Sequence, residues 1–216
     1  MANQNRDVSA LRREYVASGL HKSELNSDPF EQFQTWFDQA LEAHPDDATS
    51  MTLATADSEG RPAARIVLLK QFDRHGYCWF TDFRSEKGQH LAQNPYAEIL
   101  FYWYGLERQV RIRGPVEQLD YNTGAHYFNE RPVGSRISAA ISHQSAPIDS
   151  RTTLESAVAQ MREEHADGNI VCPETWGGYR LIPERFEFWQ GRENRLHDRF
   201  SYELHDGQWQ IIRLQP

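Results

Sequence analysis

From residue 51 onward the chain changes to a two-residue period broken by short turns, and this restricts the possible folds more than any other feature. Met51–Ala56 alternates, Ser58-Glu59-Gly60 turns, Arg61–Phe72 forms a second run, Asp73–Gly76 turns again, and Tyr77–Thr81 follows. Consecutive runs joined by such tight turns predict antiparallel hairpins in a meander. Ala97–Tyr104 and Arg108–Leu119, joined at Gly105, continue the pattern. Tyr179–Leu181, Glu184–Gln190, Arg199–Leu204 and Gln208–Leu214 complete it, for about nine strands.

Helical spacing appears between these runs. Asp28 is placed to cap a helix with Pro29 at its first position and Glu31 completing a box, and Phe30, Phe33, Phe37, Ala40 and Leu41 share its apolar face. Short helices are expected at Leu11–Tyr15, at Ser85–Gln93, at Asp120–Glu130 with Asp120 as cap, and after Ser135 as cap. Thr152–Ala166 gives the clearest amphipathic pattern, with Thr152 and Glu155 at capping spacing. The expected class is α+β, mainly β: an antiparallel barrel with peripheral helices. Residues 1–27 read as a flexible N-terminal segment and 28–216 as one domain. No G-x-G-x-x-G occurs, which argues against a doubly wound dinucleotide fold.

The 216 residues carry a formal charge of −8, so non-specific nucleic-acid binding is not expected. No apolar run is long enough to span a membrane, and the N-terminus lacks an apolar signal core. Cys78 and Cys172 stand far apart, which suits a reducing cytoplasm. No metal site is expected from the spacing of the histidines, and no G-x-S-x-G marks a nucleophile.

The chemistry therefore rests on local groups of basic residues. Arg65 and Lys70 bracket four apolar residues; they lie on opposite faces of a regular strand, so both reach one ligand only at a bulge or a strand end. Gln109, Arg111 and Arg113 share a strand face. Arg195, His197 and Arg199 stand two apart, and on a strand they form a single row suited to an anion, or a solvated edge. His143-Gln144-Ser145 offers an amide and a hydroxyl on a loop, and Trp189 offers a stacking wall. Together these groups fit a phosphorylated heteroaromatic ligand.

Several segments, in order, carry a resemblance: Leu11-Arg-Arg-Glu-Tyr15, Arg65-Ile-Val-Leu-Leu-Lys70, Leu106-Glu-Arg-Gln109-Val, Tyr127-Phe-x-x-Arg131-Pro, Gln144-Ser145, Trp176-Gly-Gly, Phe188-Trp189-Gln-Gly, Arg195-Leu-His-Asp-Arg199-Phe and Arg213-Leu-x-Pro216. The set resembles the pyridoxine/pyridoxamine 5′-phosphate oxidases over nearly the whole chain. The resemblance implies an FMN-binding split β-barrel acting as a homodimer, with FMN at the subunit interface. It implies oxidation of pyridoxine 5′-phosphate and pyridoxamine 5′-phosphate to pyridoxal 5′-phosphate, with O2 accepting the electrons and leaving as hydrogen peroxide. The implied FMN contacts are Arg65, Ile66, Val67, Leu68, Leu69, Lys70, Phe80, Thr81, Lys87, Gln109, Gln144, Ser145, Trp189 and Arg199. Lys70, Tyr127, Arg131 and Ser135 would hold the substrate phosphate, with Arg195, Leu196 and His197 over the pyridine ring. Arg195 and His197 carry the catalytic roles, and Arg12, Arg13, Glu14 and Tyr15 match a segment that folds over the substrate. The alternatives are a split-barrel flavoprotein with another substrate, and a non-catalytic binder of FMN or pyridoxal phosphate.

The chain departs from the family pattern at two places. Ser85-Glu86-Lys87 stands where Ser-Arg-Lys is usual, which puts a carboxylate beside a phosphate, with Arg84 as the expected substitute. Arg136-Ile-Ser138-Ala-Ala140 replaces Gln-Ile-Gly-Ala-Trp.

Overall fold

The computed structural model describes residues 8–11, 13–17 and 19–216. Among the described residues, ten antiparallel strands form the sheet: β1 (Ser50–Ala56), β2 (Pro62–Leu68), β3 (Gln71–Asp73), β4 (Gly76–Asp82), β5 (Tyr96–Trp103), β6 (Arg108–Gln118), β7 (Trp176–Leu181), β8 (Arg185–Gln190), β9 (Asp198–His205) and β10 (Gln208–Leu214). Five α-helices among the same described residues flank it: α1 (Pro29–Ala43), α2 (Glu86–Gln93), α3 (Tyr121–Glu130), α4 (Val133–Ile141) and α5 (Arg151–Glu164).

The long β6 splits the sheet. Its first residues pair with β5 on one side and β8 on the other, whereas Val116–Gln118 pair with β7. One arm runs β5, β1, β2 and ends at β2; a second runs β8, β9, β10; a third runs β7, β4, β3. The sheet curls around the buried face of α1, where Phe33, Trp36, Phe37 and Ala40 meet Tyr77, Phe101, Trp103, Phe186 and Phe188. Burying each such aromatic is worth roughly 2–3 kcal/mol. A second apolar cluster, Phe128, Ile137, Ile170, Cys172 and Trp176, lies beneath the helices.

Two expected caps hold, and a third helix finds its cap at the start of its expected segment. Asp28 accepts from the Phe30 N–H, and Asp120 accepts from the Thr123 N–H. Ser85, the first residue of its expected segment, caps α2 by accepting from the Gly88 N–H. Four other expectations change. Ser135 does not cap α4: the cap is Pro132, whose ring presets the backbone, and Ser135 lies inside the first turn. Ser150, not Thr152, caps α5 by accepting from the Thr153 N–H. The described residues around Leu11–Tyr15 form no helix. The single run Arg61–Phe72 is two strands, because β2 stops at Leu68 and buried Leu69 turns inward before β3.

The Arg195, His197, Arg199 row does not lie along one strand. Asn194 and Arg195 adopt left-handed backbone, with φ of 55° and 62°, in a single tight turn, and β9 begins only at Asp198. Left-handed residues other than glycine cost roughly 1 kcal/mol or more each, and such strain concentrates at functional sites.

Candidate active site

The break between β2 and β3 sets up the main cavity, of about 880 Å³. β2 ends and the chain turns, so Lys70 comes to line the same space as Arg65. The floor comes from Phe80 and Thr81 on β4. The opposite walls come from the start of α2 (Glu86, Lys87), from Tyr127 on α3, from Arg131, Ser135, Ser138 and Ala139 at and within α4, and from the Gln144–Ser145 loop. Thirteen of the expected ligand contacts meet here: Arg65, Ile66, Val67, Leu68, Lys70, Phe80, Thr81, Lys87, Tyr127, Arg131, Ser135, Gln144 and Ser145.

One part of the cavity is a polar network. Arg65 Nη1 donates to the Leu53 and Ala63 carbonyls, both at 3.1 Å, and to Thr55 Oγ1 at 2.8 Å. Nη2 of the same residue donates to Glu86 at 3.0 Å. Thr55 Oγ1 also shares a hydrogen bond with His90 Nδ1, 3.1 Å away, whose direction follows the histidine tautomer. Lys87 is buried and donates to Thr81 Oγ1, Ser85 Oγ and Gln144 Oε1, all uncharged. Burial, and then the nearby Arg65 cation, pull its pKa down to about 8. Arg84, the expected substitute for a missing arginine, is committed elsewhere: Nε and Nη2 both bind Asp82, and Nη2 also donates to the Ser142 carbonyl. Burial works against the Asp82 charge, yet Arg84 and the Gln144 N–H outweigh it and hold that carboxyl below its ordinary pKa. Ser145 sits in left-handed backbone, with φ of 71°.

A second group surrounds Arg131. Its guanidinium lies 4.8 Å from the centre of the Trp176 ring, and its buried Nη1 has no hydrogen-bond partner. Burial lowers its pKa. Tyr127 stacks on Phe80 at 4.0 Å between centroids, and Trp176 lies near-parallel to both, 5.8 Å from Phe80 and 6.2 Å from Tyr127. Gly178 permits this, since a Cβ there would come within 2.8 Å of the Phe80 ring.

The other expected residues lie outside this cavity. Tyr15, Gln109 and Trp189 line a second space of about 540 Å³, and Ile66 of β2 lines both. His197 packs against Trp189 at 4.7 Å and edge-on to Tyr15 at 5.2 Å. Its Nδ1 accepts from the Arg192 N–H at 3.1 Å, so the neutral ring carries its proton on Nε2. Burial, and then the Arg195 cation, depress its pKa and favour that neutral form. Arg195 lies 5.8 Å from the Tyr15 ring. Leu196 joins His197 in a small cleft with the C-terminal residues. Arg199 points away from both spaces, to Glu187 at 2.8 Å and the Gln215 carbonyl at 2.9 Å. Leu69 is buried in the core. Glu14 lies in the same extended segment as Tyr15, and Arg12 lies outside the described residues.

Sequence reasoning missed Glu107. This buried residue, at φ of 54°, accepts from Arg13 Nη2 at 3.0 Å and from the Val16 and Ala17 N–H groups at 2.8 and 2.9 Å. It ties the segment carrying Tyr15 to the start of β6. Gly191 receives the Tyr15 ring so closely that a Cβ would lie 2.5 Å from it. Trp176 was also missed as a lining residue, although the glycines after it signalled close packing.

Comparison with known proteins agrees with this geometry. Residues 37–165 match the family described as pyridoxamine 5′-phosphate oxidase, and residues 176–216 match a pyridoxine 5′-phosphate oxidase C-terminal dimerisation region. The chain is 49% identical over 211 residues to a pyridoxine/pyridoxamine 5′-phosphate oxidase of Rippkaea orientalis, covering 97% of this chain and 100% of that one. It is 47% identical to the protein of that name from Ralstonia pickettii, covering 97% and 99%. Among solved structures, PhzG from Burkholderia lata, in complex with tetrahydrophenazine-1-carboxylic acid, superposes with a TM-score of 0.86 at 28% identity, covering 93% of this chain and 99% of that one. An FMN-binding relative from Nostoc punctiforme, at TM-score 0.71 and 20% identity over 89% of this chain and 100% of that one, shares the fold.

Proposed function

The chain belongs to the pyridoxine/pyridoxamine 5′-phosphate oxidase family, and from that premise we propose that it is an FMN-dependent oxidase forming pyridoxal 5′-phosphate. The observation that carries this reading is a pair of desolvated cations in one cavity. Lys87 is surrounded by uncharged oxygens, and Arg131 has a buried N–H without a partner. A buried cation with no carboxylate bonded to it is costly, and an arriving phosphate relieves the cost. Two such groups fit one phosphate from a cofactor and one from a substrate.

FMN, when bound, supplies the two-electron acceptor that returns its electrons to O2. The overall balance is an alcohol plus O2 giving an aldehyde and hydrogen peroxide; the amine additionally consumes water and releases ammonia. Arg65, Lys87, Thr81, Gln144 and Ser145 would hold the cofactor's phosphate end and polar groups. Lys70, Tyr127, Arg131 and Ser135 would hold the substrate phosphate, a non-reacting group whose binding orients C4′. Tyr127 and Arg131 are four apart where α3 ends, and Ser135 stands in the first turn of α4, where free N–H groups favour an anion.

Arg195 and His197 would complete the site from a second copy of the chain. Three features support this homodimer. The C-terminal region matches a dimerisation region. Arg195 and His197 do not line the Arg131 cavity of their own chain. Finally, β2 is an edge strand whose exposed Ile66 faces both spaces. A neutral His197, with Nδ1 held by the Arg192 N–H and its proton on Nε2, would offer that N–H to the reacting carbon's substituent. Two free, buried cysteines suit a reducing cytoplasm, and among the described residues no helix is long and apolar enough to cross a membrane.

The test is direct. Purified protein should show flavin absorbance and release one peroxide per pyridoxal 5′-phosphate formed from pyridoxine 5′-phosphate. Flavin absorbance without turnover would sink the oxidase reading in favour of a binding protein.

A further inference from the structure

Glu86 occupies the one edge of Arg65 that the protein leaves free. Nη1 of Arg65 is spent on Leu53, Thr55 and Ala63, while Nη2 donates to the Glu86 carboxylate. Arg84 offers no replacement, because Asp82 and the Ser142 carbonyl hold it. The Asp82 charge is thereby neutralised within the network. Glu86 is different: its carboxylate satisfies the group an incoming phosphate needs. Its side chain is 59% exposed, so the pair with Arg65 adds little to the fold and opens at small cost. Its backbone cannot retreat, because it forms the first residue of α2 and its N–H donates to Ser145 Oγ at the cavity wall.

We propose that Glu86 is a built-in competitor for the cofactor phosphate. It pairs with Arg65, must be displaced when a phosphate binds, and then remains near it as a like charge. FMN retention is therefore weaker than the rest of the cavity allows, and the protein exchanges cofactor more readily. This rests on the FMN reading above. The phosphate end then depends chiefly on Lys87, the cation there with no carboxylate partner.

The test compares FMN with riboflavin, which has the same ring system and no phosphate. Full-length wild type and Glu86→Gln are stripped of flavin and titrated with each, with quenching of flavin fluorescence as the readout. Glu86→Gln keeps the shape and removes the charge. FMN should bind it about five-fold more tightly than wild type and leave it correspondingly more slowly, while riboflavin affinity stays the same. Unchanged FMN affinity overturns the proposal, and so does an equal gain for riboflavin, since the effect would then not act on the phosphate. Wild type that binds neither flavin overturns the cofactor assignment itself.

Discussion

Lys87 illustrates how much one side chain can report. Its pKa of about 8 comes from burial first and Arg65 second. A bound phosphate favours the charged form and restores a higher pKa. Between the two values, binding takes up a proton, so affinity falls as pH rises. FMN affinity should therefore be nearly flat from about pH 6.5 to 7.5 and weaken up to tenfold per unit above about pH 8. Lys87→Arg, whose charge persists, should flatten that decline; equal slopes in both proteins would assign it to another group. Motif order in the sequence made Lys87 legible as a contact. Its low pKa was not, because that depends on burial by segments the fold brings together and on the Arg65 cation of another strand. Glu107 was less legible still: nothing local marks a glutamate as buried and left-handed.

Whole elements were legible where local chemistry acts alone. Asp28, Ser85 and Asp120 cap their helices because each side chain needs only an N–H two or three residues on. The Arg195, His197, Arg199 row failed as a strand because two left-handed residues and a tight turn precede β9, and a period-two spacing cannot reveal them. The break after Leu68 lay hidden in an unbroken apolar run, yet it brings Lys70 into the cavity with Arg65. The stretch around Tyr15 is another such element, with the Glu107 carboxylate accepting from Arg13 and from the Val16 and Ala17 N–H groups. Glu107→Gln keeps its shape but weakens three charge-assisted hydrogen bonds, costing about 2 kcal/mol of docking. Trypsin cleavage after Arg13 should then quicken roughly thirty-fold, with the melting temperature of the sheet moving only a few degrees. Unchanged cleavage would mean that Gly191 and the Tyr15 packing suffice to hold the segment.

At the scale of the molecule, the expected substrate residues fall into two sets that no single cavity of one chain unites. Arg131 belongs to one set, and Arg195 to the other. If each site draws one set from each chain, Arg131→Ala and Arg195→Ala are both nearly inactive alone but complement when co-expressed. Half of randomly assorted dimers would be mixed, each with one intact site, giving about one quarter of wild-type activity. No recovery would place both sets in the same chain. The sequence conveyed the sheet and the residue types well, but not this division, since distance along the chain says nothing about which copy a residue serves. Edge strand β2 carries a further consequence. Ile66 is 64% exposed and Leu68 44%, on a strand with one unpaired side. A separated subunit would present a sticky ribbon able to recruit any unfolded neighbour. Loss of assembly, rather than melting of the α1 core, would then begin irreversible clumping, and dilute solutions would age faster than concentrated ones.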